Sequence, residues 1–73
     1  MPRLPRLSAR ETIRALERLG FVQLRQRGSH VTLQRGNRTC TVPTHRELKL
    51  GTLSGILKQA GLSVQELIDA LDG

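Results

Sequence analysis

The run Arg25-Gln26-Arg27-Gly28-Ser29-His30 sets a single imidazole beside guanidinium groups. Histidine moves a proton near neutral pH while arginine holds an anion, so the set suits chemistry at a phosphate. Gly28 has no side chain and lets a backbone or a ligand approach closely. Ser29 can hydrogen-bond a phosphate or the imidazole, and Arg25, Arg27 and Lys49 can neutralise the phosphate charge. The other histidine, His45, follows Pro43-Thr44 in a connector. It can complete an acid–base pair with His30, cap a strand end or donate to RNA. On the residues alone, catalysis, passive phosphate binding and an ordinary solvated turn all stay open.

Other chemistries have less support. Two histidines and one cysteine are too few for a zinc site. Glu11, Glu17 and Glu47 are scattered along the chain, which argues against a carboxylate cluster for magnesium. If the chain cleaves a phosphodiester, metal-free chemistry with no cofactor is the expectation. Cys40 shares the phase of Val42 and reads as a small buried hydrophobe rather than a nucleophile. Gly51-Thr52 can offer helix-terminal N–H groups to an anion, or simply start a helix.

The charge pattern narrows the partners. Twelve Lys and Arg stand against six Asp and Glu in 73 residues, for a net charge of +6. All twelve bases lie within residues 1–58, while residues 59–73 hold three acids and no base. Ten of the bases are arginines, whose planar fork of donors matches phosphate. Nucleic acid, an acidic protein or both are the expected partners. A membrane surface fits poorly, because the basic segments lack aromatic anchors. With no tryptophan or tyrosine and one phenylalanine, base-stacking platforms are also lacking. One cysteine excludes an intrachain disulfide and points to a reducing, cytoplasmic setting. No apolar run approaches the length of a membrane span.

The elements that must position these residues are legible from their periods. Residues 1–7, with two prolines and two arginines, read as a flexible basic arm, and residues 8–73 as one domain. Ser8-Ala9-Arg10-Glu11 fits a capping box for a helix over 9–19, closed by Gly20, with Arg10, Arg14 and Arg18 on its wet side. The period then drops to two. Strands are expected near 21–27, 30–35 and 38–42, joined by turns at Gly28-Ser29 and Gly36-Asn37. In this register Val22, Leu24, Val31, Leu33, Cys40 and Val42 face a core, while Gln23, Arg25, His30, Thr32, Gln34, Thr39 and Thr41 face away. Pro43 ends the third strand, and Thr44-His45-Arg46-Glu47 fits a second capping box for one short turn. Leu50, Leu53, Ile56, Leu57 and Ala60 form a helical stripe ending at Gly61. Ser63 to Glu66 opens a last helix carrying Val64, Leu67, Ile68 and Leu71. The fold class is therefore α+β, order α-β-β-β-α-α, with a three-stranded antiparallel sheet covered by helices on one face.

These residues also carry a family likeness. Leu19-Gly20-Phe21, the run Arg25 to His30, Thr41-Val42-Pro43-Thr44-His45, Leu48-Lys49-Leu50-Gly51-Thr52-Leu53 and Ile56-Leu57-Lys58-Gln59-Ala60-Gly61 occur in the order of a HicA-type toxin. The chain resembles that family over most of residues 8–70. The resemblance implies a double-stranded-RNA-binding-domain-like fold, endonucleolytic cleavage of mRNA and a catalytic histidine at His30. It also implies a HicB-type antitoxin as the partner that covers the active site. On this reading His30 takes the 2′ proton or protonates the leaving 5′ oxygen, Ser29, Arg27 and Lys49 contact the phosphoryl oxygens, and His45 or water carries the second proton. Two other classes stay in view: a non-catalytic RNA-binding module, and a basic interaction protein for an acidic polypeptide.

Overall fold

The computed structural model describes residues 3–72. Six elements follow in the expected order: α1 (Ala9–Arg18), β1 (Val22–Arg27), β2 (His30–Arg35), β3 (Arg38–Pro43), α2 (Leu50–Ala60) and α3 (Val64–Asp72). The strands form one antiparallel sheet in the order β1-β2-β3. Val31, Leu33, Cys40 and Val42 are buried on one face of it. Leu16 of α1 and Leu53, Ile56 and Leu57 of α2 cover that face, and Leu67 of α3 joins the same core, with α3 packed on α1. The opposite face stays open to solvent.

Local chemistry fixes the element boundaries. At α1 the capping box is complete: the Glu11 N–H donates to Ser8 Oγ and the Ser8 N–H donates to the Glu11 carboxylate, both at 3.0 Å. A matching pair opens α3, between Ser63 and Glu66, at 2.9 and 3.1 Å. Gly61 ends α2 in the left-handed conformation at φ +72°. Both hairpins turn on two residues whose first is a glycine with positive φ, Gly28 at +54° and Gly36 at +59°. Since no other residue type has positive φ among the described residues, these turns match type II′.

Four details depart from the sequence reading. A bulge at Leu24 shifts the register of β1 between Gln23 and Arg25. Val22 and Leu24, expected in the core, are therefore exposed at 59% and 47%, and Phe21 is buried in their place. The bulge also reverses Gln23, which pairs with Leu33 and so lies on the helix side of the sheet. Thr44 to Glu47 forms no helical turn. The Thr44 hydroxyl donates instead to the Ser29 carbonyl, and Glu47 pairs with Arg6 at 3.3 Å. Leu50 is exposed at 47%, and Leu48, two residues earlier, is buried. Finally, Leu7, assigned to the N-terminal arm, is buried and accepts the Leu48 N–H at 2.7 Å, so the packed region begins before Ser8. Met1 and Pro2 of that arm lie outside the described residues.

Candidate active site

The β1–β2 hairpin presents the residues singled out by their chemistry. Beyond the bulge, Arg25 pairs with Thr32 and Arg27 with His30. Because Val31 and Leu33 point into the core, alternation sends His30 and Thr32 to the open face, together with Arg25 and Arg27. His30, Arg25 and Arg27 are all exposed. The sheet thus brings one imidazole and two guanidinium groups to a single solvent-facing surface beside a glycine turn. At Gly28 an added Cβ would meet nothing within 4 Å, so the glycine answers to its backbone angle and leaves the approach to the turn open.

The turn is held from below. The Ser29 carbonyl accepts the Thr44 N–H at 2.7 Å and the Thr44 hydroxyl at 3.2 Å. The Ala9 N–H in turn donates to the His45 carbonyl at 3.0 Å, tying the connector after β3 to the start of α1. The Ser29 hydroxyl makes no hydrogen bond among the described residues and is exposed. Lys49 stands exposed at the start of α2, and no hydrogen bond or ion pair links it to the hairpin. His45 borders a groove between α1 and β1 instead of the open face that carries His30.

This groove, about 650 Å³ and open to solvent, escaped the sequence reading. Helices α1 and α2 pack on β3, Val31 and Leu33 of β2 are buried, and every residue of the edge strand β1 is exposed. Gln23 and Gln26, opposite Leu33 and Val31, lie on the helix side of β1, facing Arg10 and Arg14 of α1 and Arg46 of the connector. The adjacent apolar pair Phe21-Val22 was the available signal, since an unbulged strand cannot bury both.

The arginines divide by what they hold. Arg18 donates to the Ala70 and Leu71 carbonyls at the end of α3, and Arg35 donates to the Leu19 carbonyl while lying 4.9 Å from the Phe21 ring centre. Arg6 pairs with Glu47. Among the described residues, Arg3, Arg10, Arg14, Arg25, Arg27, Arg38 and Arg46 make no such bonds. Burial raises the pKa of the Cys40 thiol, which is 1% exposed, so it stays protonated and unreactive. Among the described residues no three His, Cys, Asp or Glu side chains are grouped to hold a metal ion. No described helix is long and apolar enough to cross a membrane.

The fold and this surface define a class of small, basic α+β domains with an exposed histidine and arginines on an uncovered sheet face. Comparison with known families gives the particular one: residues 9–62 match the model of the HicA toxin of bacterial toxin–antitoxin pairs. The chain belongs to this family of mRNA-cleaving toxins. A comparison with curated proteins found no match.

Proposed function

We propose that this protein is an endoribonuclease toxin that cleaves mRNA by internal attack of a ribose 2′-hydroxyl on the adjacent phosphorus. The observation that carries the reading is His30 on the open sheet face, paired across the hairpin with Arg27. His30 moves one of the two protons of the reaction, either from the 2′-hydroxyl or to the leaving 5′ oxygen. Arg25 and Arg27 hold the non-bridging oxygens where charge develops in the transition state. The Ser29 hydroxyl donates to the same group, and Lys49 adds charge at the start of α2. Water carries the second proton, because His45 borders the groove beside α1. The nucleophile comes from the substrate, so no step calls for a metal ion.

Its partner on this reading is an acidic HicB-type antitoxin seated over the His30 face, and its place of action is the cytoplasm. Incubation of purified protein with RNA in chelator tests the mechanism. Wild type should leave a cyclic 2′,3′-phosphate, and His30→Ala should lose about 10²- to 10⁴-fold in rate while keeping its fold. Equal cleavage of RNA carrying a 2′-deoxy residue at the attacking position would overturn it. Absence of cleavage by either form, with RNA binding kept, would leave a binding module.

A further inference from the structure

The groove between α1 and β1 plays no part in the hairpin chemistry, yet it carries the features that a nucleotide requires. Ile13 and Val31 give it an apolar floor on which a base can lie. Gln23 and Gln26 line its sheet side. The Gln23 amide makes a long 3.4 Å bond to Glu17, and that of Gln26 a 3.2 Å bond to the Gly28 carbonyl. Each amide keeps its oxygen and one N–H free for a base edge. Arg10, Arg14 and Arg46 supply guanidinium groups that nothing else engages among the described residues. A run of carboxylates would use the arginines but leave the floor and amides idle, and would meet Glu17 at the Gln23 end.

The groove also has the right position. Thr44 lines it and donates to the Ser29 carbonyl, so one end abuts the turn beside His30. A strand whose phosphate lies on the His30 face enters the groove by rounding that turn. We propose that the α1–β1 groove is a subsite for RNA flanking the cleaved bond, in which Arg10, Arg14 and Arg46 hold the phosphates and Gln23 and Gln26 read the base. The word "flanking" rests on the nuclease reading, whereas RNA binding in the groove does not.

Binding of short single-stranded RNA, measured by fluorescence anisotropy on the His30→Ala background, tests it with the substrate kept intact. Adding Arg10→Gln with Arg14→Gln should weaken binding about tenfold and flatten the log–log salt slope by about 1.4. The control pair Arg3→Gln with Lys58→Gln removes equal charge away from the groove and should do much less. Gln23→Ala with Gln26→Ala should narrow the spread of affinities among U-, A- and C-rich dodecamers, with thermal melts confirming the fold. In spectra of the parent protein, the Gln23 and Gln26 side-chain amides should shift on RNA addition. An effect no larger than the control, amides that stay still with RNA, or amides that move only with polyglutamate would overturn the subsite. If wild type cuts nothing while the groove variants lose RNA, the nuclease reading fails and the groove stands. If wild type cuts and the groove variants bind normally, the groove fails alone.

Discussion

Cys40 and Gly28 show how differently single residues serve this molecule. Cys40 lies in β3 against the helices at 1% exposure, and burial holds its thiol in the neutral form. A thiol reagent should therefore label the native protein slowly and the unfolded protein at once; rapid native labelling would contradict the packing. Cys40→Ala leaves a small void, whereas Cys40→Ser buries a hydroxyl in an apolar setting. The serine variant should lose about 1–3 kcal/mol, read from denaturant midpoints, and should be the weaker of the two. At Gly28 nothing stands within 4 Å of a Cβ, but φ is +54°. Gly28→Ala should cost about 1 kcal/mol through backbone strain alone. Gly61→Ala adds a clash to its strain, since the Cβ would meet the Arg38 guanidinium carbon at 2.9 Å. That contact is the far end of a flexible side chain, so Arg38 can swing aside and the backbone strain should dominate there as well.

Secondary-structure elements are closed by side chains whose charge is itself testable. The Glu11 carboxyl is held below its usual range chiefly by the Ser8 backbone N–H and then by the Ser8 hydroxyl. The Glu66 carboxyl is lowered in the same way by Ser63, with a smaller contribution from Arg35. A carboxyl depressed in the folded state stabilises it above the unfolded pKa, and that contribution fades as pH falls through the folded value. Glu11→Gln with Glu66→Gln should therefore melt below wild type at neutral pH, and the two curves should converge in acid. A gap that persists unchanged below the carboxylate range would mean that the loss comes from the poorer fit of the amide and not from the charge. Both boxes were readable as Ser-x-x-Glu, because a cap is a local bargain among four residues. The hairpin was readable too, since Gly28-Ser29 specifies its own turn and Val31 with Leu33 fixes the phase of His30. The same Thr-x-x-Glu pattern at Thr44 failed because Ser29 and Arg6, distant in sequence, compete for its two ends. Strand β1 failed for a related reason: an edge strand left largely uncovered is not forced to alternate, and one extra residue reverses its first half. The groove was hidden with it, because its lining comes from four segments, α1, β1, β2 and the connector after β3, which only the folded sheet brings together.

At the scale of the whole molecule, charge is split between holding the fold and meeting a partner. Residues 59–73 carry three acids and no base, and α3, which spans most of them, packs on α1. Its C-terminal carbonyls have no basic residue of their own in the last turn, and Arg18 of α1 supplies the missing donor at 2.9 and 3.2 Å. Arg35 acts likewise on the Leu19 carbonyl at the end of α1. Among the described residues seven arginines make no hydrogen bond or ion pair, and five of them, Arg10, Arg14, Arg25, Arg27 and Arg46, line the groove or the His30 hairpin, with Lys49 at the start of α2 as a sixth cation assigned to the ligand. Each phosphate neutralised on a single strand contributes roughly −0.7 to the slope of log affinity against log salt. Full engagement of these six should give a slope of about −4, measured by RNA titration across a salt series. Arg18→Gln and Arg35→Gln should lower thermal stability and leave that slope unchanged, because both side chains are spent inside the protein. Arg25→Gln with Arg27→Gln should flatten the slope at unchanged stability. If the Arg18 and Arg35 variants flatten it equally, the basic charge acts as a diffuse cloud, and the division between structural and ligand-facing arginines is wrong.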